Sequence, residues 1–183
     1  MSRNNGFTMI EVLVAMIIIS VGLLGIAGLV VESRKNIVEV QQRSIALQLA
    51  EDLLARINAN NSGLASYNGT ITAAPAQPGT LCNAANSNCT PAQTAAFDLW
   101  QWGSALYGNE VQTAANTNAG GLISPLACIN INNTDVTLTI VWRGKFTRPD
   151  TRPAVTCGDA DTDYRSAVDN DLRRVMVIET TIS

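Results

Sequence analysis

Residues 7–31 read FTMIEVLVAMIIISVGLLGIAGLVV, and 19 of these 25 residues are apolar. From Val12 to Val31, twenty residues pass without a charge. As a helix, a segment of that size is about 30 Å long, the thickness of a bilayer's hydrocarbon core. The competing reading is a buried core helix of a small domain. Such helices are usually shorter and show an amphipathic stripe. An ordinary secretory signal has an apolar region of about 7–15 residues with a small-residue cleavage site after it. Here the run is longer and passes directly into Glu32, Ser33, Arg34 and Lys35. Only Arg3 precedes it, so positive charge leaves its orientation open.

The rest of the chain narrows the function classes. At 183 residues it has room for one domain and an appendage. It contains no histidine, which excludes Ser-His-Asp and Cys-His catalysis and histidine-ligated metals. Charged residues are 15% of the chain and the net charge is −3, a poor balance for nucleic-acid binding. Arg165, Arg173 and Arg174 lie close in sequence to five aspartates and make a weak phosphate-binding surface. No nucleophile–base pair, phosphate loop or acid dyad stands out.

Glu11 is the anomalous residue of the apolar run. An ionisable group at membrane depth is costly and points to function, unless it snorkels to the headgroups or is protonated. Gly6, Phe7, Thr8, Met9, Ile10 and Glu11, followed by the apolar stretch from Val12, resemble the class III signal of type IV prepilins and pseudopilins. That signal is a short basic leader ending in glycine, an aromatic residue, a glutamate five residues after the cut, then an apolar helix. The resemblance implies cleavage between Gly6 and Phe7 by a prepilin peptidase in the inner membrane, and N-methylation of Phe7. It also implies that Glu11 serves assembly by meeting the amine of a neighbouring subunit. Phe7 and Glu11 are four residues apart, on one side of the first helical turn, so an intrachain pair is equally compatible with the spacing.

The helix is expected to continue to about Asn58. No proline or glycine occurs from Glu32 to Asn58, and Val38, Ile45, Leu49, Leu53 and Ile57 recur mainly at four-residue spacing, with Ala46, Ala50 and Leu54 alongside. Gly22, Gly25 and Gly28 leave room for bending in the apolar half. The predicted organisation is a leader at residues 1–6, a transmembrane or filament-core helix at 7–31, the amphipathic half of that helix at 32–58, and a globular head at 59–183. Within the head, residues 59–89 read as an irregular loop. Asn-x-Ser/Thr matches at Asn60, Asn68, Asn88 and Asn132 read as ordinary loop residues. Thr90, Pro91 and Gln93 predict a capped helix over 90–108, closed by Gly108. Phe97, Trp100 and Trp102 are expected to be packing residues. Residues 121–183 read as β, with strands near 127–131, 136–143 and 174–182 and a hairpin turn at 132–135. Val136, Leu138, Ile140 and Trp142 share one face of the second strand. The fold class is therefore α+β: one long helix packed on a small antiparallel sheet of three to four strands, which is also the pilin fold.

Cys82, Cys89, Cys128 and Cys157 all fall in the head. An even count in an exported chain favours disulfides, and four cysteines allow three pairings. Nearest neighbours in sequence are Cys82–Cys89 and Cys128–Cys157. The latter would bound the 144–171 excursion, resembling the disulfide-bounded loop of many pilins. A zinc site made of all four cysteines is disfavoured because no C-x2-C pair occurs. Asp159, Asp161 and Asp163 resemble the start of a calcium loop, but Tyr164 and Asn170 stand where that loop needs Gly and Glu. A solvated acidic loop is the simpler reading, so no cofactor is expected.

The GFTMIEVLVAM start, together with later Trp-Arg-Gly, Cys-Gly-Asp and Val-Ile-Glu-Thr-Thr-Ile segments, resembles minor pilins of the PilV kind. The resemblance implies a non-enzymatic role in priming and assembling type IV pili, with adhesion and twitching motility downstream. The implied partners are the prepilin peptidase, other minor pilins, the major pilin and the inner membrane, with no nucleic acid. The head would face the periplasm before assembly and lie on the pilus at the cell surface afterwards. A pseudopilin of type II secretion shares the same N-terminus. A membrane-anchored periplasmic enzyme or binding module is the alternative of another class.

Overall fold

The structure is a computed structural model that describes residues 6, 8–84, 88–109, 111–115, 118 and 120–182. Its elements are α1 (Met9–Ala59), a 3₁₀ turn (Asn61–Tyr67), β1 (Gly69–Ile71), α2 (Pro91–Leu106), β2 (Leu126–Asn132), β3 (Asp135–Arg143), a short 3₁₀ turn (Thr162–Tyr164) and β4 (Arg173–Thr181). The chain divides into two compact units, residues 1–40 and 41–183.

In the first unit α1 runs without interruption through Gly22, Gly25 and Gly28, and no atom lies within 4 Å of where a Cβ would stand on any of them. The apolar side chains from Met9 to Val31 are exposed.

In the second unit, β1 to β4 pair in sequence order as an antiparallel meander. The β2–β3 hairpin closes at Asn132↔Asp135, and Asn133 takes the left-handed turn conformation with φ 55°. Asparagine tolerates that region better than most residues, because its short amide bonds locally. Ala127 and Ile129 of β2 and Val136, Leu138, Ile140 and Trp142 of β3 bury one face of the sheet. Ala46, Ala50, Leu53 and Ile57 of α1 and Trp102 and Leu106 of α2 belong to the same core. Alanines at 46 and 50 let the helix backbone approach closely.

Helix α2 starts with the expected capping box. The Gln93 N–H donates to Thr90 Oγ1 at 3.3 Å and the Thr90 N–H donates to Gln93 Oε1 at 2.9 Å. It ends where Gly108 takes φ 71°, in space that a Cβ would share with the Gly120 carbonyl.

One feature departs from the sequence reading. Residues 59–89 are not wholly irregular: they hold the 3₁₀ turn and β1, which pairs with β2 as an edge strand. A three-residue strand is too short to show a period of two. The second face of the sheet is also buried. Leu126, Val141, Cys157 and Tyr164 form a second cluster, and Thr139 is buried beside it. The 144–171 excursion supplies that cover.

Candidate functional site

Two parts of the molecule concern function: the apolar run with Glu11, and the excursion held to the sheet by disulfide. At the start of α1, Thr8 is the last residue before the helix and its carbonyl accepts from the Glu11 N–H at 3.1 Å. The Glu11 side chain turns back over the same turn. Its Oε2 accepts from the Thr8 N–H and from Thr8 Oγ1, each at 3.0 Å. Thr-x-x-Glu is the sequence signature of a capping box. Thr8 and Glu11 carry that signal, and reading the carboxylate as an amine partner, a snorkelling group or a protonated one overlooked it. Gly6 is described and exposed; Phe7, the expected site of cleavage and methylation, lies outside the described residues.

In the head, Cys82 bonds to Cys89 and Cys128 bonds to Cys157. On the chain-entropy model the loop of 29 residues contributes about 3.6 kcal/mol and the short one about 2.5. Cys128 stands on the second face of β2, so its bond draws the excursion across that face. Other bonds act in the same sense. Tyr164 donates its hydroxyl to the Ser124 carbonyl at 2.9 Å, and the Arg148 N–H donates to the Asp171 carbonyl at 2.7 Å.

The aspartates singled out as a calcium candidate do not converge. Asp159 faces Arg173 at 3.3 Å and Asn170 at 2.5 Å, whereas Asp161 accepts from the Asp163 N–H at 2.9 Å. Among the described residues no group of three or more cysteine, aspartate or glutamate side chains is placed to hold a metal. Arg173 is withdrawn into the fold and Arg165 lies 3.5 Å from Asp169.

Comparison with known families then bears on the whole N-terminal half. Residues 1–27 match the prokaryotic N-terminal methylation motif, and residues 28–100 match the family described as Type IV pilin Tt1218. Over residues 28–100 the chain is similar to type IV pilins. No curated protein and no solved structure matches it. The match at residues 28–100 reaches from the end of the apolar run into α2.

A polar cluster lies at the end of α1. Arg56 donates to Asp98 Oδ1 at 3.3 Å, to Gln101 Oε1 at 3.0 Å and to Asp52 at 3.0 Å. The Tyr67 hydroxyl donates to Asp98 Oδ2 at 2.5 Å and accepts from Asn60 Nδ2 at 3.1 Å. Burial, reinforced by the Asp98 hydrogen bond, pushes the Tyr67 phenol above its ordinary pKa, so it remains a donor. Asp98 is one of only three charges between Ile57 and Trp142. It ties together α1, the 3₁₀ turn and α2.

Asp171 gives the head an acid-side sensitivity. The Ser166 hydroxyl holds its carboxyl below the usual range, helped by the N–H groups of Ser166, Ala167 and Val168 and opposed by burial. A carboxyl depressed in the folded state stabilises fully above its unfolded pKa, near 3.9, and loses that contribution as pH falls through the folded value. Thermal unfolding of the wild-type head should therefore fall more steeply below about pH 4 than that of Asp171→Asn. Parallel profiles for the two proteins would show that Asp171 contributes nothing on the acid side.

Proposed function

We propose that this protein is a minor pilin, of the PilV kind, that is processed by prepilin peptidase and takes part in priming and assembling type IV pili. The observation that carries the reading is the uncovered apolar run. The head closes its own core from Ala46 onward, while the side chains from Met9 to Val31 have no cover in the monomer. A run of membrane length must be buried in lipid before assembly and in protein afterwards. Within it, Glu11 requires a compensating partner at depth.

On this reading the chain is cut between Gly6 and Phe7, and the Phe7 amine is methylated. The head faces the periplasm and later lies on the pilus. Other minor pilins and the major pilin are its neighbours, and it carries out no catalysis. The methylation motif at residues 1–27 supports processing, and the pilin match at 28–100 supports assembly.

Intact mass of the membrane-extracted protein tests the first half. Loss of residues 1–6 plus one methyl group is the expected result, and a retained leader sinks the reading. Filament incorporation tests the second. Glu11→Leu should accumulate in the membrane and be depleted at least tenfold from sheared filaments, the scale of one lost charge-assisted interaction. Wild-type incorporation of Glu11→Leu would remove the assembly role.

A further inference from the structure

We propose that Arg143, Arg148 and Arg152 form a cationic corner of the head that docks on anionic phospholipid headgroups while the chain resides in the membrane. The proposal rests on the membrane anchorage given above. Residues 143–152 hold four cations, Arg143, Lys145, Arg148 and Arg152, and one acid, Asp150. The four cations are exposed, whereas the Asp150 side chain is turned inward onto buried Arg173. The side chains of Arg143, Arg148 and Arg152 make no hydrogen bond or ion pair among the described residues. In a chain of net charge −3, this corner is a local excess of the opposite sign.

The backbone beneath these side chains is held in place. The Arg143 N–H donates to the Ile123 carbonyl at 2.8 Å and the Arg148 N–H to the Asp171 carbonyl at 2.7 Å. The Arg152 N–H donates to Asp150 Oδ1 at 2.9 Å. Pro149 and Pro153 follow two of the arginines and lock φ there. Docking then orders little beyond the side chains themselves.

The place of this corner names the partner. The Ile123 N–H donates to Gln42 Oε1 at 3.1 Å, so two hydrogen bonds lead from Arg143 to the first turn of α1 inside the head. Gln42 follows Val31 by eleven residues, about 16 Å of helix. Arg34 and Lys35 stand between them in the chain, next to the end of the apolar run. A head tethered so closely meets the headgroups at high effective concentration, and an attraction too weak for a free protein then suffices. An anionic leaflet favours each nearby Arg or Lys by about fivefold. The planar fork of arginine also matches phosphate geometry.

The test places the full chain in nanodiscs of phosphatidylcholine, with and without phosphatidylglycerol. Phenylglyoxal modification of each arginine is followed by mass spectrometry. Arg143, Arg148 and Arg152 should react about fivefold more slowly in the phosphatidylglycerol discs, and the difference should fade in high salt. Arg56, fourteen residues beyond Gln42 on α1, should react alike in both. Arg148→Gln combined with Arg152→Gln removes two charges and keeps both backbone bonds. It should abolish the lipid-dependent protection of Arg143.

Equal rates in the two kinds of disc overturn the proposal, as does equal protection of Arg56. Inorganic phosphate or a DNA duplex that protects the three arginines as well, in phosphatidylcholine discs, overturns the assignment to lipid. A chain that fails to co-elute with either disc has a different meaning: it overturns the membrane anchorage itself, and the docking with it.

Discussion

Arg173→Ala is expected to destabilise the head by about 3–5 kcal/mol, the usual cost of stripping one partner from a buried ion pair. The Arg173 side chain is 0% exposed and that of Asp150 only 11%, at a separation of 3.1 Å. Asp150 also accepts from the Arg152 N–H at 2.9 Å, and Arg173 bonds to Asp159 and to the Val155 carbonyl. One guanidinium thus gathers three points of the excursion onto the first residue of β4. Its removal leaves the Asp150 carboxylate shielded from water with no cation beside it. The exposed Arg165–Asp169 pair, by contrast, should be worth less than about 1 kcal/mol.

The same logic predicts that Arg173→Lys fails to rescue fully, because an ammonium cannot present the planar fork that reaches both Asp150 and Val155. Urea unfolding of the detergent-solubilised chain, followed by tryptophan fluorescence, gives the comparison. A loss below about 1 kcal/mol for Arg173→Ala would show that the pair carries little, as for surface pairs.

Trp102→Ala should cost a similar amount, about 3–5 kcal/mol, for a different reason. Trp102 is fully buried in the main core with Ala46, Ala50, Leu53, Leu106 and Leu138. Its indole N–H donates to the Leu49 carbonyl at 2.6 Å, which ties α2 directly to α1. Truncation removes the largest fully buried side chain at that contact and leaves a cavity that two helices and a sheet cannot easily collapse into. Trp102→Phe keeps most of the volume and loses the bond, so its cost should be smaller. Trp100 is only half-buried and stands 5.6 Å from Phe97, ring centre to ring centre. If Trp100→Ala proved as costly as Trp102→Ala, the assignment of Trp102 as the pin between the helices would be wrong.

Where the sequence could be read, a local pattern carried the information. The box of Thr90 and Gln93 forms as expected, since it needs only residues three apart. The hairpin at Asn132 to Asp135 and the buried face of Val136, Leu138, Ile140 and Trp142 follow from a turn signal and a period of two. The stripe on α1 held at Leu53 and Ile57, while Ala46 and Ala50 proved to be the buried contacts and Val38 stayed partly exposed. Alanine carries a weak hydrophobic signal, so its role in close packing shows only once a neighbour is in place.

Other features left no local trace. β1 has three residues and exists because β2 offers an edge. Thr137, Thr139 and Val141 alternate as a solvent face would, yet Thr139 and Val141 are buried because a distant segment lies over them. The Arg173–Asp150 pair joins residues 23 apart, and only the fold turns both inward.

The sequence alone determined the long apolar helix, the placement of Glu11 near its start and the family those residues indicate. Each rests on composition and spacing within a few turns, and helix geometry is local. Tertiary structure decided what covers each face of the sheet and which cation is buried. Those depend on contacts between segments far apart in the chain, which local spacing cannot specify.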